Sequence, residues 1–175
     1  LSHFADYLLL LIVLPFISRS LGPITLGNIG LAQTFGLLVL LILEFGFSIT
    51  ATRDVALNPN NKSKTQKLAS KIFSFKIYLI PIIIFFTLII IFVHPIFFYQ
   101  PELLILAVLS AIFQSFIPSW YFQGIENFKQ LAIVKTIFRF LAFCIALIIV
   151  REPSDGWLFL MLQAFSSFFI AIFLL

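Results

Sequence analysis

Charged residues are scarce in this sequence. Asp, Glu, Lys and Arg make up only 10% of the 175 residues, whereas 62% are hydrophobic. Soluble domains have about 25% charged and 45–50% apolar residues, so a water-soluble globular domain is excluded. The single cysteine, Cys144, lies in an apolar stretch, which excludes a disulfide framework or a CxxC metal pair.

Motifs of enzyme chemistry are also lacking. The two histidines are far apart and neither has a second ligand four residues away, so we expect no metal site. The sequence contains no HExxH pair, no glycine-rich phosphate loop and no nucleophile paired with a base. We therefore expect a protein that is not an enzyme and has no cofactor.

Long apolar runs rich in Leu, Ile and Phe dominate the sequence, which contains 24 Phe residues in total. A hydrocarbon core about 30 Å thick is crossed by about 20 apolar residues of helix. Six segments reach or approach this length, which predicts an all-α, polytopic transmembrane helical bundle. The predicted helices cover residues 1–18, 27–49, 77–98, 103–122, 131–150 and 157–175.

The connections between these helices differ sharply in charge. Nine of the 11 basic residues lie in residues 50–76 or in the fourth-to-fifth connection and its flank, whereas the alternate connections hold only Arg19 and Arg151. Cytoplasmic loops of membrane proteins carry the excess of Lys and Arg. We therefore predict a multi-pass protein whose N-terminus and basic loops lie in the cytoplasm.

Within the basic loop, lysines and apolar residues occupy different faces of a helical repeat. Lys64, Lys67 and Lys71 share one face, while Leu68, Ile72 and Phe75 share another. This pattern predicts a short amphipathic helix on the inner leaflet. Anchoring is its simplest role, and recognition of anionic lipids is the alternative.

Aromatic clusters mark several of the predicted helix ends. They contain Phe98 and Tyr99, Trp120 and Tyr121, and Trp157. Because Trp and Tyr are enriched at the membrane interface, we expect these residues to be interfacial anchors.

Three short motifs lie between or at the ends of the predicted helices. They read RSLGPITLG over residues 19–27, EFGFSITATRD over 44–54 and PSWYFQGIE over 118–126. In this order and spacing, the chain resembles the Wzx-type polysaccharide flippases of the multidrug/oligosaccharidyl-lipid/polysaccharide exporter superfamily. The resemblance covers nearly the whole chain.

The resemblance implies a transporter of roughly twelve to fourteen helices in two lobes around a central cavity, of which this chain forms most of the N-terminal lobe. Its implied activity is to flip undecaprenyl-diphosphate-linked oligosaccharides across the bacterial inner membrane for polysaccharide or O-antigen biosynthesis. The implied partners are the lipid-linked oligosaccharide, membrane lipids, the missing C-terminal lobe, a polysaccharide polymerase and a chain-length regulator. No nucleic-acid partner is expected.

Several motif residues have a predicted architectural role. Gly22 and Pro23 should form a turn at the outer surface, and Gly27 should let the second helix approach a neighbour closely. Pro118 should kink the fourth helix near its exit, and Gly124 should permit the inner turn that follows.

Charged residues inside apolar runs are the strongest candidates for function, because burying charge in the membrane is costly. Lys135 and Arg139 are four residues apart and share a face of the fifth helix, where a diphosphate could lie between them. Measured along the helices, Glu44 and Arg139 lie at similar depths, roughly 12–13 Å from the inner interface. We expect either a structural ion pair or a switch in which protonation of Glu44 releases Arg139. For Lys135, snorkelling to the interface is the alternative to substrate contact.

The remaining charged candidates lie near the predicted membrane surfaces. Arg53 and Asp54 could form a cytoplasmic salt-bridge gate with Glu126 and Lys129, although helix capping would also explain them. Arg19, near the outer end of the first helix, could contact diphosphate on release or simply anchor the helix.

Three other functions compete with the flippase. A drug or small-cation exporter of the same superfamily would favour acidic cavity residues, whereas the embedded charges are two basic and one acidic. A membrane sugar polymerase or ligase would need a longer outer loop than this chain has. An inactive, truncated fragment is the third alternative.

Overall fold

The computed structural model describes residues 2–57 and 61–175, with side chains described from Pro15 onward. Every regular element in this part of the chain is a helix, which confirms the all-α prediction. The elements are α1 (Ser2–Glu44), α2 (Phe47–Leu57), α3 (Lys62–Val93), α4 (Pro95–Tyr99), α5 (Pro101–Ser115), α6 (Ser119–Gly124), α7 (Phe128–Ile149), a 3-10 turn (Pro153–Asp155) and α8 (Gly156–Leu174).

Five stretches of the described chain are long and apolar enough to cross a membrane. They are Pro15–Glu44, Lys62–Val93, Pro101–Gly124, Phe128–Ile149 and Pro153–Leu174. Each overlaps one of the last five predicted helices. The first predicted helix, 1–18, falls mostly on residues whose side chains lie outside the described part.

The third span begins at Lys62, well before the predicted start at Ile77. Residues 62–76 contain no Pro or Gly, and the Asn61 side chain caps the helix by accepting a hydrogen bond from the Lys64 N–H at 3.1 Å. The predicted amphipathic helix is therefore the first part of α3. At 1.5 Å per residue, α3 is roughly 48 Å long, so one end extends beyond a hydrocarbon core about 30 Å thick.

The second predicted helix ends earlier than expected, at Glu44 instead of residue 49. Phe45 and Gly46 have φ of 31° and 74°, a left-handed conformation that terminates helices and that glycine adopts without strain. The chain then starts a new helix, α2. The depth of Glu44 counted along one helix from Arg53 was therefore wrong, since Glu44 lies in the last turn of its span.

A break inside α1 lies at Gly22, where the sequence predicted a turn. Gly22 has φ 73° and ψ 167°, and Pro23 follows it. A glycine adopts this backbone freely, and proline cannot donate the hydrogen bond that would continue the preceding helix.

At each end of the bundle, neighbouring segments are held together by hydrogen bonds or close packing. At one end the Asn28 side-chain amide donates to Gln100 Oε1 at 3.3 Å, and Gly156 packs against Thr25. At the other end the Thr52 hydroxyl, which lies closer still to the Ser48 carbonyl oxygen of its own helix, is 3.3 Å from the Trp120 carbonyl oxygen. The basic connections thus share the end that holds α2 and α6.

Helix α5 is the centre of the packing, with α1 and α8 against it. Gly36 of α1 lies so close to α5 that a Cβ atom there would be 2.9 Å from the Ala107 carbonyl oxygen. Gly27 has no atom within 4 Å of such a Cβ. The predicted close approach is therefore made by Gly36, and the role assigned to Gly27 was wrong.

Replacing Gly36 by alanine will destabilise the protein relative to the matched change Gly30→Ala in the same helix. The added methyl group meets a backbone carbonyl at position 36 but open space at position 30. We expect a difference of about 1–3 kcal/mol, typical of overpacking. Thermal unfolding in detergent measures it, and equal midpoints for the two variants would contradict the close packing of α1 on α5.

Candidate functional site at a broken membrane helix

The fourth span is interrupted between α5 and α6. Pro118 has no N–H to donate, and the Ser119 N–H bonds to the Ile117 carbonyl oxygen at 2.7 Å. In an unbroken helix the Ser119 N–H would bond to the carbonyl of Ser115. The predicted kink at Pro118 is therefore a full break, and it leaves the Ser115 carbonyl without its helical donor.

Lys76 of α3 supplies the missing donor. Its Nζ donates a hydrogen bond to the Ser115 carbonyl oxygen, and the side chain is only 3% exposed. A charge-assisted hydrogen bond offsets part of the cost of burying an ammonium group. Lys76 was expected to lie in the basic loop, so this contact was not predicted. Its position directly before a long apolar run was the available signal.

Glu44 provides a compensating charge for Lys76. The carboxylate, in the last turn of α1, attracts the Lys76 ammonium group electrostatically. The hydrogen bond of Lys76 thus joins α3 to α5, and the negative charge that favours its ammonium group comes from α1.

Arg139 was the partner expected for Glu44. It lies near the midpoint of α7, roughly 15 Å from either end at 1.5 Å per residue, and it is not without a partner in the structure. The pairing of Glu44 with Arg139 stays a prediction, with Lys76 as the competing partner.

Lys135 reaches the same break from the other side. Its Nζ donates to the Ser119 hydroxyl oxygen at 3.4 Å, and the contact is partly buried. The structure thus brings two lysines of different helices to the residues on either side of Pro118. We define Lys76, Ser115, Pro118, Ser119 and Lys135 as the break site.

The four residues predicted to form the cytoplasmic gate are all exposed: Arg53, Asp54, Glu126 and Lys129. Asp54 lines a groove of about 230 Å³ together with Lys64, Lys67 and Lys71 of α3. Glu126 has a left-handed backbone, with φ 59°. The proposed gate between the Arg53–Asp54 pair and Glu126 remains a prediction.

Comparison with known proteins decides the family. All residues, 1–175, match the family model described as "Polysaccharide biosynthesis protein". The chain belongs to this family. It is 31% identical over 153 residues to a protein of Escherichia coli (strain K12) named "Putative O-antigen transporter", and 28% identical over 158 residues to one of the same name from Shigella dysenteriae.

These matches cover 86% and 89% of the chain but only 36% and 39% of the two relatives. No solved structure matches the chain significantly. The resemblance to Wzx-type flippases is confirmed at the level of the family. Together with the five apolar spans, it makes the chain part of a multi-pass membrane protein.

In this polysaccharide biosynthesis protein, Trp120 does not lie at a lipid interface as predicted. It is 5% exposed and packs with Ala51, Val55 and Ile72, and its Nε1 has no hydrogen-bond partner among the described residues. The packing of α2 on α6 buries the indole ring. By contrast, Tyr99 is 81% exposed and Trp157 39% exposed.

Gly124 also has a different role from the one predicted. Its φ is not positive, and the left-handed residue of the following turn is Glu126. A Cβ at Gly124 would lie 2.7 Å from the Val55 Cβ, so the glycine lets α6 pack closely against α2.

Arg19 is exposed and lies just before the Gly22 break, at the opposite end of the bundle from Lys76. The structure therefore does not bring Arg19 together with Lys135. Among the described residues, no group of three His, Cys, Asp or Glu side chains could hold a metal ion.

Proposed function

We propose that the protein to which this chain belongs flips undecaprenyl-diphosphate-linked oligosaccharides from the cytoplasmic to the outer leaflet of the bacterial inner membrane. The family and the printed names of the two relatives support polysaccharide export. The observation that carries the proposal is the pair of lysines held at a broken membrane helix. Cations in a span are costly and typically mark the path of a charged substrate.

The two lysines would have different tasks. Lys76 is buried and bonded to a backbone carbonyl, so it positions the break. Lys135 donates a long hydrogen bond of 3.4 Å to a hydroxyl oxygen at the break, and a phosphate oxygen there would accept a stronger, charge-assisted hydrogen bond from it. We assign Lys135 the first contact with the diphosphate.

Arg139 and Arg19 would act later in the transport step. Arg139 is one helical turn, roughly 6 Å, further along α7 on the same face as Lys135. Arg19, at the opposite end of the bundle, would contact the diphosphate on release. Glu44 would exchange between Lys76 and Arg139 as its carboxyl group is protonated and deprotonated. A second gate at the inner surface, formed by Arg53, Asp54 and Glu126, would control entry of the substrate from the cytoplasm.

The orientation follows from the basic end of the bundle, which we place in the cytoplasm with the N-terminus. A C-terminal lobe would complete the cavity, and membrane lipids would surround it. The polymerase and the chain-length regulator would receive the flipped units.

Deleting the gene will cause the lipid-linked oligosaccharide to accumulate in the cytoplasmic leaflet, where a membrane-impermeant sugar oxidant cannot reach it in intact spheroplasts. The wild-type gene will restore labelling. Lys135→Gln will reduce the labelling rate roughly tenfold or more, because a charge-assisted hydrogen bond to phosphate is lost.

Lys62→Gln is the matched control, since Lys62 is an exposed lysine at the start of α3. Unchanged labelling after gene deletion, combined with increased sensitivity to cationic drugs, would contradict the flippase and favour the drug exporter.

A further inference from the structure

A polar cavity lies between α1, α5 and α8. Its volume is about 190 Å³, and its polar lining consists of Gln33, Ser110, Gln114 and Gln163, with Gly36 at its wall. None of its lining residues is charged. We call this cavity the glutamine notch.

The notch lies deep in the bundle. Gln33 is roughly 15 Å along its helix from both Pro23 and Glu44, and Gln163 is a similar distance from both ends of its span, at 1.5 Å per residue. Gln114 directly precedes Ser115, whose carbonyl binds Lys76. The notch is therefore at membrane depth and next to the break site along α5.

Two of the glutamines already bind each other. The Gln33 side-chain amide donates to Gln163 Oε1 at 2.9 Å, which uses one donor and one acceptor. A glutamine side chain has two N–H donors and one carbonyl oxygen that accepts up to two bonds. The pair can therefore still offer the Gln33 carbonyl oxygen and the Gln163 amide group to a third molecule.

The notch is a polar opening on an otherwise apolar face of α1. The notch opens beside Leu37, which is 61% exposed, on a face of α1 that also exposes Leu41. Amide groups that face hydrocarbon without partners would cost several kcal/mol each. A polar opening in an apolar face at this depth fits a wet path that a polar ligand enters.

We propose that the glutamine notch binds hydroxyl groups of the saccharide part of the transported lipid while the diphosphate is at the break site. A sugar hydroxyl both donates and accepts, which suits neighbouring amide oxygens and N–H groups, whereas a diphosphate would call for cations. A cavity smaller than the roughly 300–1,000 Å³ of a full ligand pocket takes one part of a larger ligand. This inference rests on the proposed function.

The test compares two lipids that differ only in the sugar. The protein expressed from its intact gene is placed in nanodiscs, and binding is measured for undecaprenyl diphosphate and for the same lipid carrying one hexose. Gln33→Met and Gln163→Met remove the amides with little change in volume. We expect each variant to weaken binding of the glycosylated lipid roughly three- to tenfold, the loss expected for one hydrogen bond, and to leave binding of the bare diphosphate unchanged.

The matched control is Gln100→Met, because Gln100 forms a comparable bond between two amides, with Asn28, at the other end of the bundle. This control should bind both lipids as the wild type does. Equal weakening of both lipids by Gln33→Met and Gln163→Met, or no preference of the wild type for the glycosylated lipid, would overturn the saccharide site while leaving the flippase in place. If the wild type bound neither lipid, the proposed function itself would fail.

Discussion

Replacing Lys76 by methionine will destabilise the folded protein and abolish its transport activity. The Ser115 carbonyl would lose the donor that replaces its missing helical bond at Pro118. An unsatisfied buried carbonyl costs roughly 1–3 kcal/mol, and Glu44 would also lose its compensating charge. Thermal unfolding in detergent and surface polysaccharide measured in cells report the two effects.

Lys71→Met is the control, because Lys71 is an exposed lysine of the same helix. It should keep the wild-type unfolding midpoint. If Lys76→Met behaved like Lys71→Met in both assays, Lys76 would not hold the break site.

The role of Glu44 is tested by combining the substitutions. Glu44→Gln in the Lys76→Met background removes the charge left without compensation, so the double variant should be more stable than Lys76→Met alone. Glu44→Gln by itself separates the switch from a structural pair: unchanged transport and pH dependence would exclude the switch.

Replacing Gly124 by alanine will loosen the contact between α2 and α6. The new Cβ would lie 2.7 Å from the Val55 Cβ and 3.0 Å from the Thr52 carbonyl oxygen, and neither of these atoms is the end of a flexible side chain. We expect a loss of about 1–3 kcal/mol, measured by thermal unfolding.

Gly27→Ala is the matched control, because it adds the same methyl group where no atom lies within 4 Å. It should be neutral or slightly stabilising, since alanine favours helix over glycine. If Gly124→Ala and Gly27→Ala gave the same midpoint, the close contact between α6 and α2 would be wrong.

The position of Lys76 shows why membrane depth, counted in residues along the sequence, was insufficient to identify the buried charged residues. The helix was expected to begin at Ile77, so Lys76 was assigned to the loop. The Asn61 cap and the absence of Pro and Gly carry the helix further, and a partner on another helix makes burial of the ammonium group tolerable. Neither the cap nor the partner is visible in a hydropathy profile.

The glutamine notch was overlooked for a related reason. The functional residues predicted within the spans all carry a formal charge, whereas Gln33 and Gln163 are neutral. Polar but uncharged residues near the midpoint of an apolar run were the available signal. Their meeting across 130 positions of sequence depends on how α1 and α8 pack.

The sequence by itself determined that the chain is an all-α membrane protein of one family, with its basic residues in alternate connections. These properties depend on hydropathy, on the length of the apolar runs and on local motifs, all of which involve residues close together in the sequence. Only the tertiary structure decided that the break at Pro118 is held by Lys76 and Lys135 and that Gly124 serves helix packing. Such contacts join residues on different helices. The sequence shows that a proline will leave a backbone carbonyl without its helical donor, but it does not show which side chain will donate to that carbonyl instead.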